Sequence, residues 1–244
     1  MFRLSDDSPR RATTPIVTWS IIAACFLVFL WQSSLGTKAG EIALYQYGMI
    51  PARLFGMAKL RSHAAIPASA TVLTSMFLHG GWLHLGLNML FLWVFGAKVE
   101  DSLGHARFLI FYLLCGVAAA VAQAIMSPAS TAPMVGASGA ISGVLGAYFL
   151  LHPLASIRVL FFLGFIPIVA HIPALIFLGL WFAAQIVSAT FSVVSEPGVA
   201  VWAHVGGFLT GMLLTPLLRQ SSVELLQPRH SRAFQIERGR GPWS

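Results

Sequence analysis

Apolar residues run along this chain in blocks of about 17 to 25, each long enough to cross the hydrocarbon core of a bilayer as a helix. They do not alternate with polar residues as barrel strands do. The pattern predicts six spanning helices. The first covers residues 16–35. A long mixed loop follows at 36–70, and its Leu54, Phe55 and Met57 place it partly in the membrane interface. The second helix begins between Thr71 and Trp82 and ends near Val99, just before Glu100, Asp101 and Gly104. Residues 108–126 form the third, and 127–134, with Pro128 and Pro133, a turn. The fourth covers 136–151 and stops at His152-Pro153, because proline disfavours helical geometry in the residue before it. Residues 157–187 are apolar for too long to be one ordinary span, and Pro167 and Pro173 divide them. The fifth helix is therefore expected at about 173–189, with 159–168 as an interfacial or re-entrant piece. The sixth runs from about 199 to 218.

Composition turns this pattern into a class. A chain that is 57% hydrophobic and 9% charged, with a mean hydropathy of +0.79, lies far outside the range of soluble domains. The reading is an all-α polytopic membrane protein. Its net charge of +7 raises the question of nucleic acid. The basic residues, however, sit in short segments between and after the apolar blocks without aromatic interleaving, so they read as topology determinants and no nucleic-acid partner is expected. Six spans put both flanking tails on one side. Eleven of the 15 Lys and Arg residues fall there, and only Lys38, Arg53, Lys59 and Arg61 on the other, which predicts cytoplasmic tails. The chain thus divides into a short tail at 1–15, a membrane domain at 16–218, and a basic tail at 219–244 that is too polar to fold. No small-residue cleavage pattern follows the first block, so it reads as a retained helix. Cys25 and Cys115 each lie inside an apolar block and imply neither a disulfide nor a metal framework.

Candidate chemistry comes from what is polar inside the spans. Ser138, in Gly136-Ala137-Ser138-Gly139, heads the fourth helix. Serine there reads equally as a helix cap or a backbone-bonded hydroxyl. It is not a soluble nucleophile elbow, since the last glycine of that motif is Ala140 here and no strand precedes it. His204 lies in the sixth helix, and an ionisable residue in a span is a functional candidate, with a histidine bonded only for packing as the alternative. Gly139 and Gly143 are four apart on one helix, and Gly207 and Gly211 on the other; small residues at that spacing let two backbones approach closely. Such a contact brings Ser138 within hydrogen-bonding reach of His204, the base a serine nucleophile requires. All eight acids fall in tails, loops or helix ends, so the chemistry would be a dyad. His84 and Asn88 share one face of the second helix, and both can donate to a developing oxyanion. They can also bridge to carbonyls of neighbouring helices. A His-Glu-x-x-His metal motif is absent, whereas haem held by a histidine pair stays open on spacing alone.

At these residues the chain resembles the rhomboid family of intramembrane serine proteases. The resemblance rests on His79, His84 and Asn88, on Glu100 with Gly104, on the Gly136 to Gly139 box, and on Ala203-His204 with Gly207 and Gly211, in register over the six-helix core. It implies Ser138 as nucleophile, His204 as general base, and His84, Asn88 and the Ser138 amide as the oxyanion site. No cofactor or metal is implied. The partners would be membrane lipids and transmembrane protein substrates, cut at or just below the outer surface of a bacterial-type inner membrane after a small side chain. Ala137 stands where inactive relatives carry proline. Two features depart from many members. The 36–70 loop lacks a Trp-Arg pair, and Ser142 stands where some relatives place a tyrosine that stacks on the histidine, leaving packing or the Ser142 hydroxyl to orient His204. The rivals are a non-catalytic relative that binds membrane helices and a transporter or haem protein using the histidines.

Overall fold

In the computed structural model, residues 13–58, 66–163, 166–191 and 200–228 are described. Among the described residues, four helices are long and apolar enough to cross a membrane: Ile16–Ser34, Trp82–Leu103, His105–Met126 and Val201–Leu218. Two shorter apolar helices, Ser138–Leu151 and Ala174–Ser188, lie among them. Of the six spans expected, four correspond to helices of full spanning length, and the fourth and fifth fall on shorter helices.

Helix α1 (Ile16–Ser34) shows why such a segment leaves water. Thr18, Ile21, Cys25, Phe29 and Gln32 recur at three- and four-residue steps and form one narrow buried stripe. Trp19, Leu27, Leu30 and Trp31 remain exposed around it. Apolar surface on that scale marks a membrane-facing helix.

Helix α1 begins after Pro15, which has no side chain able to cap it. Its free first-turn amides find their partner elsewhere. Glu100 is wholly buried, and its carboxylate accepts from Val17 N at 2.9 Å, Thr18 N at 2.8 Å and Thr18 Oγ1 at 2.6 Å. An acidic group at a helix N-terminus meets both the orphan amides and the positive end of the dipole. His105 Nδ1 sits 2.6 Å from the same carboxylate.

The second segment is longer than expected. Helix α5 (Trp82–Phe91) passes through a π-helical turn at Leu92–Gly96 into α6 (Ala97–Leu103), so Glu100 and Asp101 lie within it instead of after it. Gly104, at φ +82°, ends it and starts α7 (His105–Met126), a backbone conformation glycine accepts without strain. The 36–70 segment is also not simply a loop. It holds α2 (Gly36–Tyr47), α3 (Pro51–Leu54) and the start of α4 (Ala68–Thr74), with 59–65 outside the described residues.

Helix α8 (Ser138–Leu151) is the buried centre of the bundle, packed by α7 on one side and α10 (Val201–Leu218) on another. A methyl group built on Gly207 overlaps the carbonyl of Gly139, and one on Gly211 overlaps that of Gly143. One on Gly146 meets the carbonyl of Phe208. In lipid, where burial drives helices together only weakly, close backbone approach of this kind supplies the packing energy.

The all-α expectation needs correction after α8. Ser156–Leu163 (β1) and Ile166–Pro173 (β2) form a two-stranded antiparallel hairpin, in register from Ser156 opposite Pro173 to Leu163 opposite Ile166. The expected re-entrant piece at 159–168 lies within it. Pro167 and Pro173 cannot donate to a helix or a central strand, but in a two-stranded sheet every strand is an edge. Helix α9 (Ala174–Phe191) follows. The polar tail is also ordered at first. Gln220 N donates to Ser102 O, and Leu226 N and Gln227 N donate to Leu150 O and Leu151 O, so residues 220–227 fold back across the ends of α6 and α8. Residues 229–244 of that tail lie outside the described residues.

Candidate active site

Ser138 is the first residue of α8 and His204 lies one turn into α10, so the glycine contact between these helices sets the distance between the two side chains. Ser138 Oγ lies 2.9 Å from His204 Nε2. On its other side, His204 Nδ1 lies 2.9 Å from Gln185 Oε1, an acceptor carried by α9. An amide oxygen there requires the proton on Nδ1, which leaves the Nε2 lone pair facing the serine hydroxyl. Trp181, one turn before Gln185, lays its ring against His204 with centroids 6.0 Å apart.

The Ser142 hydroxyl does not take part. It donates to Ser138 O at 2.7 Å, within its own helix. The groups that meet His204 are Gln185 and Trp181 instead, and neither was among the expected site residues. A signal for them was available: a glutamine one turn after a tryptophan in an otherwise apolar span is itself a polar intramembrane residue.

His84 and Asn88 line the same cavity, which has a volume of about 530 Å³ and an otherwise apolar wall that includes Leu87, Phe91, Ile141 and Leu145. Gly80 N donates to His84 Nδ1 at 3.3 Å, so the ring proton lies on Nε2. Asn88 Nδ2 donates to His84 O at 2.8 Å, a bond to its own helix and not to a neighbouring one. The second hydrogen on that nitrogen is left for the cavity. Between His84 and the serine lies Gly136, at φ +118°. A methyl group there would fall 2.8 Å from His84 Nε2 and 3.8 Å from Ser138 Oγ, so its absence keeps open the space where the two side chains converge. The segment leading to Ser138 is braced from outside. Met49 and Met134 exchange both backbone hydrogen bonds, at 3.0 and 2.8 Å, and Gly136 N donates to Ser75 O at 2.9 Å. The 36–70 segment thus supports the approach to α8.

The family model of the rhomboid domain matches residues 68–221, a stretch that contains His84, Asn88, Ser138, Gln185 and His204. The chain belongs to the rhomboid family. This rhomboid is 36% identical over 133 residues to Rhomboid protease GluP of Bacillus subtilis, covering 54% of this chain and 24% of that protein. It is 33% identical over 147 residues to RHOMBOID-like protein 4 of Arabidopsis thaliana, covering 59% and 32%. With RHOMBOID-like protein 6, mitochondrial, of the same plant, it shares 28% identity over 158 residues, covering 65% and 44%. The rhomboid therefore spans less than half the length of these relatives.

Proposed function

We propose that this rhomboid is a serine endopeptidase that cuts transmembrane protein substrates within or near their spans. The observation that carries the reading is the 2.9 Å approach of Ser138 Oγ to a histidine nitrogen whose opposite nitrogen is already engaged. His204 takes the Ser138 proton as Oγ bonds to the scissile carbonyl carbon, and then returns it to the departing amine. His84 Nε2–H, the second Asn88 N–H and the Ser138 amide receive the oxyanion. Water then splits the acyl ester by the same proton path in reverse. Among the described residues no carboxylate lines the cavity, and in this reading the two catalytic side chains form a dyad.

All six apolar helices cross the membrane in this reading, with the tails on the basic, cytoplasmic side of a bacterial-type inner membrane. Helix α8 has 14 residues and is roughly 21 Å long, shorter than a hydrocarbon core of about 30 Å. With its C-terminal end at the inner interface, Ser138 then lies below the outer surface. A peptide bond is attacked there only in extended form, since a helical carbonyl is already engaged. Substrate helices that unwind near their outer end are therefore preferred. A narrow recess of about 10 Å³ beside Ser138, walled by Ala119, Gly136, Gly139, Ala140 and Ala203, favours a small side chain before the cut.

The test is covalent labelling of Ser138 by a serine-directed fluorophosphonate. It is followed by cleavage of a single-span substrate carrying Gly-Ala near its outer end, against a Leu-rich counterpart. Labelling that persists in Ser138→Ala, or none in the unaltered chain, would favour a non-catalytic binder of membrane helices. Equal cleavage of the two substrates would remove unwinding as the selector.

A further inference from the structure

Gln185 is the candidate that the dyad reading leaves unexplained. It comes from α9, a third helix, and its amide oxygen meets the nitrogen of His204 that faces away from Ser138. The nearest carboxylates cannot do this work: among the described residues no acidic side chain lines the cavity. A carboxylate in this partly buried place would also carry a charge that burial penalises, whereas a glutamine oxygen accepts the same hydrogen bond uncharged. Trp181, one turn earlier on α9, lies beside the same ring, with centroids 6.0 Å apart and planes tilted by 41°.

We propose that Gln185 is a positioning residue for the protease reaction: it fixes the Nδ1–H tautomer and the ring plane of His204, and so makes the base competent only while α9 rests against α10. This rests on the proposed proteolysis. Gln185 acts through His204 and touches no reacting atom. Without its oxygen, the proton is free to sit on Nε2, where it donates to Ser138 Oγ and leaves no lone pair to take the hydroxyl proton. One neutral hydrogen bond to the base is expected to change the rate on the order of tenfold.

The experiment measures fluorophosphonate labelling of Ser138 in the purified full chain across pH, together with melting temperature, for the unaltered chain, Gln185→Leu and Gln185→Glu. Gln185→Leu removes the acceptor and should label about tenfold more slowly in the folded protein. Gln185→Glu keeps an acceptor oxygen and should label near the original rate at high pH. Its added negative charge favours the imidazolium, so the acid limb of its profile should move to higher pH. His84 is the other titratable side chain in the cavity, so the comparison is repeated in His84→Gln, where the displacement should persist. Labelling of Gln185→Leu at the original rate would overturn the inference. So would a Gln185→Glu profile with an unmoved acid limb, which decides the matter even where Gln185→Leu does not fold. Failure of the unaltered chain to label at Ser138 would instead overturn the proposed function itself.

Discussion

Glu100 allows a stability prediction worked atom by atom. Each carboxylate oxygen receives two donors: one takes Val17 N and His105 Nδ1, the other Thr18 N and Thr18 Oγ1. Glu100→Gln keeps the shape but turns one oxygen into an NH2 donor, so whichever way the amide settles, one backbone N–H, of Val17 or of Thr18, faces a donor and loses its acceptor, while His105 Nδ1 or Thr18 Oγ1 must turn to accept. The amide will turn to spare the pair on Thr18, because Thr18 is fully buried while the His105 side chain is 40% exposed. Hydrogen bonds to a charged group contribute about 1.5–3 kcal/mol each, and an unsatisfied buried donor adds a similar penalty, so the loss should reach about 3–5 kcal/mol. The exposed histidine pair contributes under about 1 kcal/mol of that. His105→Ala should therefore cost little where Glu100→Gln costs much. Equilibrium unfolding of the two variants in one detergent measures both. The reasoning fails if Glu100→Gln loses less than about 1 kcal/mol, or if His105→Ala matches it.

Ser138→Ala and His204→Ala should each abolish proteolysis, and the double variant should be no worse than either, because members of one catalytic unit are not additive; kinetics on a single-span substrate check this. His84→Ala or Asn88→Ala should lower turnover on the order of 10² to 10³ while the melting temperature holds, and a fall in stability alone would assign them to packing. Gly211→Ala drives a methyl group into the Gly143 carbonyl and should cost at least about 1–3 kcal/mol, read by the same unfolding assay. Cysteines introduced at 36–58 should react with an impermeant thiol reagent added outside, and those at 220–228 should not.

Where a physical constraint is local, the sequence was readable. The four-residue spacing of Gly139 with Gly143 and of Gly207 with Gly211 indicated that two backbones meet, and the helices do meet there. The Pro153 stop holds, since α8 ends at Leu151. What was missed depends on contacts between distant segments. Hydropathy treats 156–173 as membrane-like, and nothing in that score separates a short apolar hairpin from a buried helix segment. Glu100 looked like a helix-end charge because its partners, Val17 and Thr18, are more than eighty residues away. Gln185 has no polar partner near it in sequence: the side chain it meets, His204, lies 19 residues on in another helix. The polar beginning of the last tail read as unfolded, yet its backbone bonds to Leu150 and Leu151 offset its composition.

The interlocked glycines of α8 and α10 bear on motion as well as on packing. With backbone seated against backbone at Gly139, Gly143 and Gly146, neither helix can slide or roll without driving a carbonyl into its neighbour, so Ser138 and His204 are mounted on a single stiff beam. Whatever admits a substrate must then come from the cavity's other walls. Helix α9 presents Leu175, Ile176, Leu180, Ile186 and Val187 outward and meets the beam on its other side, where it carries the groups that touch His204. A substrate that pushes α9 aside also pulls Gln185 and Trp181 off the histidine. On the proposed protease reading, entry and chemistry therefore fall at different moments: the site opens unarmed, and His204 is set for catalysis only as the wall returns.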